Sequence, residues 1–67
     1  MSLERVLTIE RAKKDNMSID EMCEKLNVSR STYYSWIRTN GETLKASTVK
    51  QLSELFEVST DYILQAI

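Results

Sequence analysis

Between Asn27 and Arg38 the chain reads NVSRSTYYSWIR, and within that run Arg30, Ser31, Thr32, Tyr34, Ser35 and Arg38 can all hydrogen-bond through their side chains. An arginine can donate twice to the edge of a guanine, while serine and threonine hydroxyls bond either base edges or phosphate oxygens. This is the chemistry of recognition and not of bond making. Residues for catalysis are scarce. The chain has no histidine, so imidazole acid–base chemistry near neutral pH is absent. Its carboxylates fall on surface positions of different expected helices with no common pocket. Cys23 is the sole cysteine. It has no histidine to activate it and no electropositive helix start beneath it, and is expected to be a small core filler. One cysteine closes no internal disulfide, and no spaced Cys/His set offers a metal site. No catalytic residue, metal, cofactor or small-molecule ligand is expected, and the chain does not read as an enzyme.

The polar residues of this run need an element to display them, and the flanking residues supply the signals for one. Ser29 stands as an N-cap, and the spacing predicts a helix from about Arg30 to Arg38 with Tyr33 and Trp36 turned inward. Adjacent residues on a helix lie about 100° apart, so Tyr33 inside places Tyr34 outside. Upstream, Ser18-Ile19-Asp20-Glu21 has the capping-box order, and its two acids favour the positive end of a helix. That helix should run Ile19 to Leu26 with Met22, Cys23 and Leu26 on one face. Asn27 then suits a left-handed terminating residue, and Val28 is an apolar plug. Two short capped helices separated by Asn27 and Val28 leave no slack, so they must cross steeply as a helix-turn-helix at about residues 18–38.

The remaining segments complete an all-α reading with five short helices and no strand. A first helix is expected from Leu3 to about Lys14 on a stripe of Leu3, Val6, Leu7 and then Ile9 or Glu10. Thr39, Asn40 and Gly41 form a loop, Asn-Gly being a strong turn pair. A fourth helix, Ala46 to Phe56, carries Val49, Leu52 and Phe56. A last one, capped by Ser59, carries Tyr62, Ile63 and Ala66. At 67 residues with 42% apolar content, no proline and one glycine, the expectation is a single domain over 1–67 with one small core. The N-terminal MSLERVLTIERAKK interrupts its apolar residues with charge. No run approaches the roughly 18 apolar residues of a membrane span, so a cytoplasmic protein is expected.

Net charge is −1, yet the charges are segregated. From Lys25 to Lys50 five bases, Lys25, Arg30, Arg38, Lys45 and Lys50, face one acid, Glu42. After Lys50 there are three acids, Glu54, Glu57 and Asp61, and no base. A protein acidic overall can still present a positive face, because close contacts respond to local potential.

In order and spacing the chain resembles the Cro and cI repressor, or Xre, type of helix-turn-helix regulator found in phage and bacteria. The resemblance is carried by Met17-Ser18, Met22-Cys23, Leu26, Val28 to Thr32, Trp36 and the closing run LSELFEVSTDYIL from Leu52 to Leu64. It implies a compact five-helix, lambda-repressor-like DNA-binding fold and a transcriptional regulator, expected to repress at a near-palindromic double-stranded operator. On this resemblance Arg30, Ser31 and Ser35 would face base edges in the major groove. Thr32, Tyr34 and Arg38 would lie at its margin or on phosphate. Ser18, Asn40, Thr43 and Lys45 would approach the DNA backbone, with Ile19 nearby. A homodimer is also implied, and the surplus apolar residues Leu55, Ile63, Leu64 and Ile67 are the expected seam. The chain departs from the family pattern at Ile19, where a phosphate-binding glutamine is usual. It departs again at Cys23 for alanine, at Asn27 for glycine, at Ile37 for an acid, and in a longer, proline-free loop from Thr39 to Lys45. These departures, with Tyr34 and Ile37 beside the polar face, also fit an alternative: a protein-interaction module that captures another regulator or a polymerase subunit.

Overall fold

A computed structural model describes residues 2–67. Its elements are α1 (Leu3–Lys13), α2 (Ile19–Leu26), α3 (Arg30–Arg38), α4 (Ala46–Phe56) and α5 (Thr60–Leu64). No strand occurs among the described residues, so the five-helix, all-α arrangement expected from the sequence is the one observed.

Serine oxygens start four of the helices. Ser2, Ser18, Ser29 and Ser59 each accept a hydrogen bond from the amide three residues on, at 3.3, 3.0, 3.2 and 3.1 Å. Each bond satisfies an amide that the helix itself leaves unpaired. At Ser18 this is the forward half of the expected capping box. Helix α4 begins at Lys45 with no side-chain cap. The stops are equally local. Asn27 adopts the left-handed conformation at φ 58°, and the Val28 amide returns to the Cys23 carbonyl at 3.0 Å. Glu57, at φ 55°, closes α4 in the same way, with Val58 returning to Ser53 at 3.0 Å.

The core gathers Leu3, Leu7, Met17, Met22, Cys23, Leu26, Tyr33, Trp36, Val49, Leu52, Phe56 and Ile63. Helix α3 packs against α2 and α1, α2 also meets α4, and α4 meets α5. The turn after α3 takes a left-handed conformation that favours glycine. Gly41 has φ 87°, and a Cβ there would lie 2.6 Å from Ile67 Cγ1. Its amide also reaches the Trp36 carbonyl at 2.7 Å.

The packing settles one open choice, moves one expected seam residue into the core and gives a third residue partners within the fold. The first helix turns Glu10 inward, 4% exposed, and leaves Ile9 half-buried. Position 10 continues the 3, 6, 7 stripe at helical spacing, and the acid is satisfied there by the Tyr62 hydroxyl at 3.0 Å and by Lys13 Nζ at 3.4 Å. Ile63 is 1% exposed; it faces the core of its own chain and not an intermolecular seam. Asn40 points its amide into the fold, accepting from the Leu3 amide at 2.9 Å and donating to the Ala66 carbonyl at 3.1 Å. Asn40 is nonetheless exposed, with one amide hydrogen beyond the bond to Ala66.

Candidate nucleic-acid interface

The α2–α3 pair is locked from beneath. Tyr33 and Trp36 are buried with ring centroids 6.3 Å apart in an edge-on arrangement, and Val28 packs half-buried against the same cluster. Edge-to-face aromatic pairs of this kind add to area burial. The grip fixes which residues of α3 look outward: Arg30, Ser31, Thr32, Tyr34 and Arg38 are exposed, and Ser35 is partly so. Tyr34 is 49% exposed and leans edge-on against Tyr33 at 5.3 Å.

The hydroxyls on this face are not equally free. Thr32 Oγ1 lies 3.0 Å from the capping Ser29 Oγ, so it belongs to the start of α3. Ser35 Oγ sits 3.3 Å from Thr43 Oγ1, which in turn is 3.4 Å from Thr39 Oγ1. This small chain ties α3 to the loop that follows it. Ser31 has neither arrangement and stands open. Between the helix-turn-helix turn and the start of α4 runs a groove of about 340 Å³, lined by Ser29, Thr32, Trp36, Thr43 and Lys45 among others. Lys45 is an exposed cation on its lining, and Arg38 is exposed at the end of α3.

Arg30 is exposed, as expected of the first residue of α3, but it has a partner that the sequence did not announce. Its Nε lies 2.9 Å from Asp20 Oδ1 on α2. The only ion pairs elsewhere among the described residues, Lys13–Glu10 and Lys14–Glu57, lie at α1 and its exit. Of the backbone candidates on other elements, Ser18 spends its hydroxyl as the cap of α2 and is exposed. Ile19 is half-buried and packed on the core. Buried groups beneath the face are held in their neutral forms. Burial, with a smaller push from Asp20, raises the Cys23 thiol above its ordinary value despite Arg30 nearby. Burial likewise raises the Tyr33 phenol despite Arg11. The expected seam residues separate: Leu64 and Ile67 are exposed and Leu55 is half-buried, while Ile63 is internal.

No group of three or more metal-ligating side chains comes together among the described residues, and no described helix is long and apolar enough to cross a membrane. What the surface can do is present hydrogen-bond donors and cations along one short, rigid helix. Compared with known families, residues 12–67 match a model described as a helix-turn-helix domain. No curated protein and no solved structure matches the chain.

Proposed function

Because the chain belongs to this helix-turn-helix domain family, whose fold suggests DNA-binding or regulatory function in general, we propose that it is a sequence-specific, double-stranded-DNA-binding transcriptional regulator. In this reading it is a small cytoplasmic repressor of the Cro/cI type, a single domain over 1–67 acting as a homodimer at a near-palindromic operator. Helix α3 enters the major groove, where Arg30, Ser31 and Ser35 meet base edges. Arg38, Lys45, Thr43, Asn40 and Tyr34, with Ser18 and Thr32 at the helix starts, lie along the phosphates. The observation that carries the reading is the lock beneath α3. Tyr33 and Trp36 are buried, so the remaining faces of the same helix leave Arg30, Ser31 and Arg38 exposed, and Lys45 is an exposed cation at the start of α4.

The alternative, a module that captures another protein, drew on apolar residues near this face. Ile19 and Ile37 are half-buried and packed on the core, which leaves Tyr34 as the one large apolar residue exposed on α3. That favours DNA as the partner. The test is a gel shift of the protein against the region upstream of its own gene at several salt concentrations, with Arg30→Ala beside wild type. The expected result is a complex that weakens steeply with salt and loses its sequence preference in the variant. A complete absence of salt-sensitive binding on any duplex would sink the reading.

A further inference from the structure

The Arg30–Asp20 pair places a carboxylate on the surface proposed to meet phosphates, where like-charge repulsion works against binding. Its geometry suggests what the acid contributes. Asp20 Oδ1 lies 2.9 Å from Nε as an ion pair and not as an aligned hydrogen bond. The contact is charge on charge at the Nε side of the group, and Nη1 and Nη2, the forked end, spend none of their N–H donors on Asp20. Both side chains are well exposed, 61% for Arg30 and 68% for Asp20, so the fork is not buried by the contact. An unrestrained arginine on this face would find any nearby phosphate; one tethered at Nε keeps its forked end for a planar acceptor pair such as guanine O6 and N7.

We propose that Asp20 is a positioning residue that sets base specificity: it holds Arg30 by Nε, presents Nη1 and Nη2 to a guanine edge, and keeps the guanidinium off phosphate. This rests on the DNA-binding reading above. It makes Asp20 a residue that lowers affinity for DNA in general while raising discrimination between sequences.

The test starts from a randomised duplex pool. Wild-type protein selects its preferred sites, and the selected duplex and single-base variants of it are then titrated against wild type, Arg30→Ala, Arg30→Lys, Asp20→Asn and Asp20→Glu over a range of salt. Asp20→Asn should bind random duplex more tightly than wild type. Its salt slope should steepen by about one, because the released Arg30 becomes a phosphate contact. Its preference for guanine at the position read by Arg30 should fall about tenfold, the loss of a well-placed bidentate contact. Arg30→Lys keeps the charge without the fork and should show the same loss of preference. Asp20→Glu keeps the carboxylate and should recover part of it. Thermal melts of each variant establish that the fold is retained, since Ser18 still caps α2 in all of them. If Asp20→Asn keeps the wild-type base preference and salt slope and changes only the melting temperature, the pair is a structural tie and the proposal is wrong. If Arg30→Ala keeps the base preference, the proposal falls while DNA binding stands. If wild type itself forms no salt-sensitive complex, the DNA-binding reading fails and takes the proposal with it.

Discussion

The Asn40 side chain joins the start of α1 to the segment after α5, bonding the Leu3 amide at 2.9 Å and the Ala66 carbonyl at 3.1 Å. Asn40→Ala leaves both partly buried groups without that partner, and urea denaturation should show a loss of about 1–3 kcal/mol. The polar groups at Cys23, Tyr33 and Tyr62 make a different prediction. Burial raises Cys23 and Tyr33, and the hydrogen bond to Glu10 raises Tyr62, each above ordinary values of 9.0 for the thiol and 10.0 for the phenols. A folded-state value raised above the unfolded one favours the folded protein fully below the unfolded value, and that advantage is lost as pH rises through the folded one. Stability should therefore hold to about pH 9 and decline above it. A melting temperature still rising beyond that point would contradict the assignment. For the same reason the Cys23 thiol should react slowly with a disulfide reagent in the folded protein and at the rate of a free thiol in urea. At this scale local pattern had limited reach. The outward face of α3 follows from helical phase once Tyr33 and Trp36 are turned in. The pairings Asn40–Leu3, Tyr62–Glu10 and Arg30–Asp20 join residues distant in sequence, and they exist only after the helices have assembled.

Individual helices are written into short stretches of chain, which is why their limits could be read so closely. The bounds of α2, α3 and α4 agree with expectation because each is set by a cap or a stop within a residue or two: Ser18, Asn27, Ser29, and Glu57-Val58. The same locality predicts the cost of removing a cap. Ser18→Ala and Ser29→Ala should each cost about 1 kcal/mol, read by denaturant titration. Ser29→Ala should also release Thr32 Oγ1, its neighbour at 3.0 Å. Helix α1 was the least legible because position 10 holds an acid where the stripe requires burial, and besides the local Lys13 it is Tyr62, 52 residues away, that makes this tolerable. Of the residues expected at a seam, Ile63 is covered by its own chain while Leu64 and Ile67 stay exposed, a division the sequence did not announce. Apolar character shows that a residue will be covered, but not whether by its own chain.

Taken whole, the molecule spans 26 × 24 × 20 Å between its Cα extremes, less than the roughly 34 Å that separates successive major-groove half-sites on one side of a duplex. Reading a near-palindrome thus needs two copies, and the exposed residues available to join them are Leu64 and Ile67, with Leu55 half-buried nearby. Under the proposed dimer, Leu64→Glu combined with Ile67→Glu should give a folded monomer by sedimentation, with weaker binding to a two-half-site duplex. Ile63→Ala should instead cost about 2–5 kcal/mol of stability, as befits a core residue. A domain this small has little stability to spare, so that loss could unfold it outright. The central claim is that α3 reads DNA, and its most direct measurement is the binding of wild type and Arg30→Ala to selected and random duplexes across a range of salt. The account predicts a salt-sensitive complex for both proteins, with a preference for the selected duplex that Arg30→Ala loses. Equal, salt-independent or undetectable binding by wild type to both duplexes would contradict it.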